Sequence, residues 1–513
     1  AQAIKDRVAI DCVWPDDLRQ RLDSLFPETQ SAQPDWQKIA CALAVRKAFA
    51  VITGGPGTGK TTTVLKMLAL LQSSARQQGR VLRIVLAAPT GKAAARLSDS
   101  ILSSLTKLPE AMQRDLPHEA CTLHKLLGAR PGTRHFTHNR HNPLHADVVI
   151  IDEASMIDLE MMASLLNALR PDTRLIMLGD KDQLASVEAG SVLGDLCRNA
   201  EQSAYDPATR AWLQQYCGQI IPGNGPTGSA LDQQIAVLRI SHRFDDNSGI
   251  GRLATAVNAG QVGVFEGIWQ QQPPFEDIRR INIAANPGDF NDLILDGWGA
   301  EHAVGYRYYL EVLKKQRPAV DAPPEDHWHW ASSVIAAFDR FQLLCALREG
   351  SWGVEGLNQR IAEVLYAQGL ISQTQGWYEG RPVLVNRNDY ALGLMNGDIG
   401  IALNLPDVDS GAMRLRVVFK QNQQAIKSFL PSRLNDVESV YAMTVHKSQG
   451  SEFEHVALVM PDSVNPVLTR ELIYTGITRA RKRFSLLFSV ASVLPNAVSQ
   501  RVKRASGLAD GLL

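Results

Sequence analysis

No apolar run in these 513 residues approaches the uninterrupted length a bilayer needs, so no membrane segment is predicted. No secretory signal is visible at the start, and a cytoplasmic protein is expected. The first residues, Ala1-Gln2-Ala3-Ile4, include no Met, so residues upstream are expected to have been cleaved or omitted. The chain also lacks a charge imbalance. Lys+Arg and Asp+Glu both total 53, which argues against a strongly basic, indiscriminate nucleic-acid binder but leaves room for a local basic channel. Cysteine is sparse: six residues, scattered, with no C-x-x-C pair. That speaks against a disulfide framework or zinc site and for buried thiols in a reducing compartment. Repeats and low-complexity tracts are missing too. The length is too great for one core and predicts about two to four domains.

What is present begins with one stretch. Gly54-Gly55-Pro56-Gly57-Thr58-Gly59-Lys60-Thr61-Thr62 contains G-x-x-x-x-G-K-T. An apolar run, Phe49 to Ile52, precedes it and predicts a buried strand; helical spacing follows from Thr61 to Leu71. Strand, glycine loop and helix form the context a phosphate-binding loop needs. The glycines let the backbone turn tightly and aim several N–H groups at one anion, and the helix adds its positive dipole end. Lys60 can reach the β- and γ-phosphates, and the Thr61 hydroxyl can ligate Mg²⁺. The loop predicts a nucleoside triphosphate without saying what the energy does.

Further strands are predicted at Val81 to Ala88, Asp147 to Ile151 and Arg174 to Leu178, alternating with helices. Four such strands favour a doubly wound, RecA-like sheet. Asp152-Glu153 follows the third of these strands, where α/β sheets place ligands. Asp152 is positioned to hold Mg²⁺ through water and Glu153 to orient or deprotonate the attacking water; a helix N-cap pair is the bland alternative. Past the fourth strand, Gln183 can sense the γ-phosphate. Gln37, on the helix opening at Asp35, can reach an adenine edge or be a surface residue. Between Arg130 and His145 lie three arginines and four histidines. A metal cluster, a solvated loop and a protruding basic hairpin that touches nucleic acid all remain open there.

Residues 246–340 are uninformative about chemistry. A second α/β pattern begins with a strand at Phe341 to Ala346 and a helix at Gly356 to Gln368. Short strands with tight turns follow: Arg381 to Val385, Ile399 to Leu403, Met413 to Phe419 and Ile426 to Leu430, with Asn396-Gly397 as a hairpin signal. This reads as a small inserted β-barrel. Strands at Tyr441 to Val445, Val456 to Met460 and Phe484 to Ser489, with a helix through Glu471 to Arg481, restore the α/β pattern.

The motifs taken together are specific. Gly54 to Thr62, Ala88-Pro89-Thr90-Gly91-Lys92-Ala93, Asp152 to Met156, Gly179 to Leu184, Thr444 to Phe453 and Tyr474 to Arg481 occur in one order and spacing. The chain resembles superfamily 1 DNA helicases of the 5′→3′ branch and, within them, the RecD family of RecBCD (exodeoxyribonuclease V) subunits, from about residue 20 to the end. The resemblance implies an α/β fold of two RecA-like parallel-sheet P-loop domains with a β-hairpin pin and an inserted SH3-like β-barrel. The boundaries implied are a lead-in over 1–33, domain 1A over 34–245 with the pin at about 129–146, domain 2A over 246–375 and 433–513, and domain 2B over 376–432. The family's amino-terminal region, which docks on RecC, is expected to be absent or cut short.

The resemblance also assigns residues. ATP would be held by Gln37, Gly54, Gly55, Pro56, Gly57, Thr58, Gly59, Lys60, Thr61 and Thr62, with Mg²⁺ at Thr61 and Asp152. Lys60, Glu153 and Gln183 would be catalytic, joined by Arg243 and Arg479 reaching the γ-phosphate from the second domain. Pro89, Thr90, His124, Thr444, His446 and Lys447 would contact single-stranded DNA. The implied role is an ATP-driven 5′→3′ motor on single-stranded and duplex-end DNA, in a heterotrimer with RecB-like and RecC-like subunits that repairs double-strand breaks by homologous recombination. The nuclease site is expected on a partner. A stand-alone RecD-like helicase and an ATP-binding regulatory subunit without motor activity are the alternatives.

Overall fold

The computed structural model describes all residues except 28–32, 131, 132, 134, 186–189, 223–226, 246, 300–302, 390, 408–410, 422–424, 503–506, 509, 510, 512 and 513. The chain divides into two compact units at the Arg243–Phe244 bond. Leu508, from the C-terminal tail, packs into a core of the first unit rather than the second, where the sequence reading had put residues 433–513.

The first unit is built on a parallel sheet of six strands: β1 Phe49–Gly54, β2 Ile84–Ala88, β3 Ala120–Thr122, β4 Val148–Ile151, β5 Arg174–Gly179 and β6 Ile235–Leu238. Their order is β3-β2-β4-β5-β1-β6. β1 and β4 are buried along their whole length, which is why both read as unbroken apolar runs. Successive side chains alternate between the two faces. Ala50, Ile52, Val148 and Ile150 enter one core, while Phe49, Val51, Val149 and Ile151 enter the other. The strand predicted from Val81 starts only at Ile84, since Val81 is 61% exposed. β3 and β6 are not among the strands expected from the sequence, being only three and four residues long. Within 129–146 the described residues form two isolated antiparallel bridges, Ala129 to Phe136 and Asn139 to Asn142, and no continuous ladder. Pro131, Gly132 and Arg134 lie outside the described residues.

The second unit carries β7 Ile278–Asn282, β8 Phe341–Cys345, β9 Pro382–Val385, β10 Ile399–Pro406, β11 Met413–Gln421, β12 Ala425–Phe429, β13 Val437–Ser439, β14 Ala442–Thr444, β15 Phe453–Val459 and β16 Ala480–Phe488. Five of them form a parallel sheet, β14-β8-β15-β16-β7, so this unit too is an α/β domain of RecA-like type. The other five form an antiparallel sheet, β12-β11-β10-β9-β13. Asn396-Gly397 does not join two strands as a two-residue hairpin. It ends the longer connection from β9 to β10, where the Gly397 amide donates to the Val385 carbonyl at 2.9 Å. The helix predicted through Arg481 stops at Thr478, because the Arg479 carbonyl accepts from the Phe453 amide (2.9 Å) and draws the chain into the sheet as β16.

Buried tyrosines fasten the antiparallel sheet to the parallel one. The Tyr306 hydroxyl donates to the Tyr441 carbonyl and accepts from the Leu343 amide (3.3 Å). The Tyr309 hydroxyl donates to the Gly380 carbonyl (2.8 Å), and the Tyr378 and Tyr441 hydroxyls share a bond of 3.1 Å. Among the described residues no helix is long and apolar enough to cross a membrane.

Candidate nucleotide site and nucleic-acid contacts

β1 delivers the chain to the glycine loop, and the helix Lys60–Gln77 leaves it, with Thr61 and Thr62 in its first turn. Gly59 is the residue before this helix and adopts a left-handed conformation (φ 82°), as does Gly57 (φ 74°). Both need glycine for a second reason. A Cβ on Gly57 would stand 2.4 Å from the Arg243 Cβ, and one on Gly59 would stand 2.2 Å from Gln37 Nε2. The loop is tied internally by Thr58 Oγ1, which donates to the Gly55 carbonyl at 2.8 Å. Lys60 Nζ folds back and donates to the carbonyls of Gly54 (2.7 Å) and Gly55 (3.0 Å). Gln37 Nε2 donates to the Thr58 carbonyl at 3.1 Å, so this side chain braces the loop and is not a free surface residue.

Two strands away, β4 ends in Asp152 and Glu153. Asp152 Oδ1 accepts from the Glu153 amide at 2.9 Å, and Glu153 itself takes a left-handed conformation (φ 53°), uncommon for a residue with a side chain. Burial, and then the Glu153 charge, push the Asp152 carboxyl up to about 6; Lys60 opposes the shift. Between them, β5 ends in Asp180, which is 1% exposed. Burial raises this carboxyl as well, and Lys60 again opposes. Asp180 Oδ2 accepts from Gln183 Nε2 at 3.1 Å, which orients the buried Gln183 amide. Gln183 Oε1 has no hydrogen-bond partner among the described residues. The sequence reading singled out Gln183 and missed Asp180. The signal was there: an acid immediately after a buried parallel strand, as at Asp152.

Because β5 lies between β1 and β4, Lys60, Asp152, Glu153, Asp180 and Gln183 converge at one edge of the sheet. Pro89 and Thr90 follow β2, and His124 follows β3, on the same edge but displaced sideways. Thr90 Oγ1 caps the helix Gly91–Leu105 by accepting from the Ala93 amide (3.2 Å), while the His124 ring meets Phe136 edge-on at 6.0 Å.

Arg243 requires a correction. The resemblance implied that it approaches from the second domain, but it is the last residue of the first unit and packs on the phosphate loop. The neighbouring backbone explains why. Ser241 Oγ donates to the Pro56 carbonyl (3.1 Å) and the His242 amide to the Gly57 carbonyl (2.8 Å), so the segment is clasped to the loop. Arg479 does lie in the second unit, just past the helix Arg470–Thr478 and 2% exposed. Its Nε donates to the Thr475 carbonyl (3.2 Å) and an Nη to the Ser451 carbonyl (3.1 Å).

The remaining candidates follow β14. Thr444 Oγ1 accepts from the Lys447 amide at 3.2 Å and fixes the turn His446–Ser448. Lys447 Nζ donates to Asn396 Oδ1 at 2.8 Å. Burial lowers the Lys447 pKa, Glu438 raises it and Arg348 lowers it. No group of three or more His, Cys, Asp or Glu that could hold a metal ion occurs among the described residues.

Residues 37–189 match the AAA domain family model, and residues 439–487 match the UvrD-like helicase C-terminal domain. A relative from Haemophilus influenzae, "RecBCD enzyme subunit RecD", is 39% identical over 96% of this chain and 74% of its own. One of the same name from Mycobacterium tuberculosis is 39% identical over 92% of this chain and 72% of its own. An "ATP-dependent RecD2 DNA helicase" from Deinococcus radiodurans is 28% identical, and this chain spans 50% of that protein. A solved Pif1 helicase structure aligns over 94% of the chain at 14% identity with a TM-score of 0.45, too loosely to add to the fold described above.

Proposed function

The chain belongs to the RecD family of RecBCD enzyme subunits, and from that premise we propose that it is an ATP-dependent DNA helicase, the 5′→3′ motor of a RecBCD-type helicase/nuclease that processes broken duplex ends for recombination. The observation that carries the reading is the convergence of Lys60, Asp152, Glu153, Asp180 and Gln183 on one sheet edge beside the glycine loop. Buried carboxylates raised by desolvation beside the glycine loop support hydrolysis of the nucleotide as well as its binding.

Lys60 leaves the Gly54 and Gly55 carbonyls and takes the β- and γ-phosphates of ATP. Glu153 accepts a proton from the attacking water, and Gln183, held by Asp180, reads the γ-phosphate. Thr61 and Asp152 offer a hydroxyl and a carboxylate, the hard oxygen donors Mg²⁺ takes, and the metal would neutralise phosphate charge when bound. Arg243 and Arg479 supply planar guanidinium donors to charge spreading over the transferring phosphoryl group. Pro89, Thr90, His124, Thr444, His446 and Lys447 hold a single DNA strand. Residues 129–146 act as the pin that parts the duplex, and the antiparallel sheet, which runs past the implied limit of 432 to take in Val437–Ser439, is an SH3-like domain 2B. The first RecA-like domain is limited at Arg243 and the second runs from Phe244 to Val502, in place of the limits implied by the resemblance, with residues 1–33 as a lead-in. RecB-like and RecC-like subunits are the partners, cleavage belongs to one of them, and the compartment is the cytoplasm.

Strand displacement on substrates with a 5′ or a 3′ tail, with and without the other subunits, tests this reading. Displacement confined to the 5′ tail and driven by ATP is expected. ATP hydrolysis indifferent to single-stranded DNA would overturn it.

A further inference from the structure

We propose that Asn396 is a positioning residue for the nucleic-acid contact at Lys447, and that the antiparallel sheet of the second unit acts on DNA through this amide. The inference rests on the reading of Lys447 as a phosphate contact.

The Lys447 ammonium can only donate, so the Asn396 side chain must present its oxygen, as it does at 2.8 Å. That single bond joins two segments from different sheets. Lys447 follows β14 of the parallel sheet, and Asn396 precedes β10 of the antiparallel one. Each side is held. The Lys447 amide is fixed by Thr444 Oγ1 at 3.2 Å. The Asn396 amide donates to Asn388 Oδ1 (2.8 Å), the Met395 amide to Asp398 Oδ2 (2.7 Å), and Gly397 takes the left-handed conformation (φ 97°) the turn requires. A flexible lysine is thereby restricted near its tip by a rigid turn.

The chemistry of the partner matters as much as its position. A neutral amide oxygen occupies one of three N–H donors and leaves the full positive charge and two donors for a phosphate oxygen. A carboxylate there would neutralise the ammonium and compete with the phosphate. Glu438, the acid that acts on Lys447, is itself paired with Arg348 at 3.0 Å. The arrangement therefore aims a cation without discharging it.

The test is binding of a fluorescent oligodeoxythymidine by the full chain across a salt series, comparing Lys447→Gln, Asn396→Asp and Asn396→Ala with the parent. Lys447→Gln is expected to weaken binding roughly tenfold, the loss of one charge-assisted hydrogen bond. It should also reduce the slope of log K against log salt by about 0.7, one phosphate contact on a single strand. Asn396→Asp, nearly isosteric, should reduce the slope by the same amount, because the new ion pair withdraws the ammonium. Asn396→Ala should weaken binding a few-fold with the slope retained, since the charge remains but is no longer aimed. Asn396→Asp combined with Lys447→Gln should be no weaker than Lys447→Gln alone. A parental slope in Asn396→Asp beside a reduced slope in Lys447→Gln overturns the role of Asn396. So does parental affinity in Asn396→Ala, which decides the matter even where the Asp variant fails to fold. Parental affinity and slope in Lys447→Gln overturn the reading of Lys447 itself, and this inference with it.

Discussion

The two parallel sheets share an architecture and differ in what stands at their strand ends. In the first unit, β4 and β5 run into carboxylates that burial pushes upward, with a lysine close enough to oppose the shift. In the second, β14 runs into a turn whose cation is held by a neutral amide, and a buried histidine, His455, lies inside the sheet on β15 with Nε2 bonded to Ser485 Oγ at 2.9 Å. The scaffold is repeated and the electrostatics are not. Desolvated acids suit chemistry on a bound anion, whereas an aimed and undischarged cation suits a strand that must be gripped and let go.

The contrast predicts its own strongest test. Lys60→Gln should abolish ATP hydrolysis and strand displacement, a loss of roughly 10³-fold or more, with the fold intact by circular dichroism; parental turnover would remove Lys60 from the mechanism. Arg479→Ala should lose hydrolysis by roughly 10³-fold while keeping ATP binding. Loss of binding together with unchanged single-turnover hydrolysis would show that the second unit contributes affinity alone.

Acid should act on the two sheets with opposite sign. Asp152 is raised to about 6 in the fold, so its contribution favours the folded state below the ordinary carboxylate range and is lost as pH rises through about 6. Asp152→Asn should therefore raise the melting temperature of the nucleotide-free chain above pH 6 by a few degrees, with the gain vanishing at low pH. His455 is lowered to about 3 by burial and then by Arg279 and Arg483. Its contribution is present above the ordinary histidine value and is lost as pH falls toward about 3. His455→Asn should flatten the acid limb of the melting profile, and an unchanged limb would exclude this histidine as its source. The smallest effect belongs to the tyrosines: Tyr378→Phe removes one hydroxyl pair and should lower stability by about 1 kcal/mol, leaving ATP affinity unchanged by titration.

Much of the first site was legible because it is local. Gly54 to Thr62 and Asp152-Glu153 each carry their context within a dozen residues, and buried parallel strands announce themselves as apolar runs. What escaped depends on distance along the chain. Gln37 meets Thr58 from another helix, and Ser241 and His242 clasp a loop far behind them, so neither spacing nor period reveals that Arg243 belongs with the phosphate loop. The Asn396 to Lys447 bond joins two sheets, and Asn396-Gly397 by itself reads only as a turn. β7 and β13 were lost for another reason: their apolar residues are too few to rise above their surroundings.

Gln37 and Arg243 fill the room beside Gly59 and Gly57, so the glycine cradle is gripped from two directions. Capture then asks little of the backbone. One ammonium must swing away from two carbonyls, and the anion enters a mould already set. A loop braced in this way has little conformational freedom left to lose when it closes on an anion.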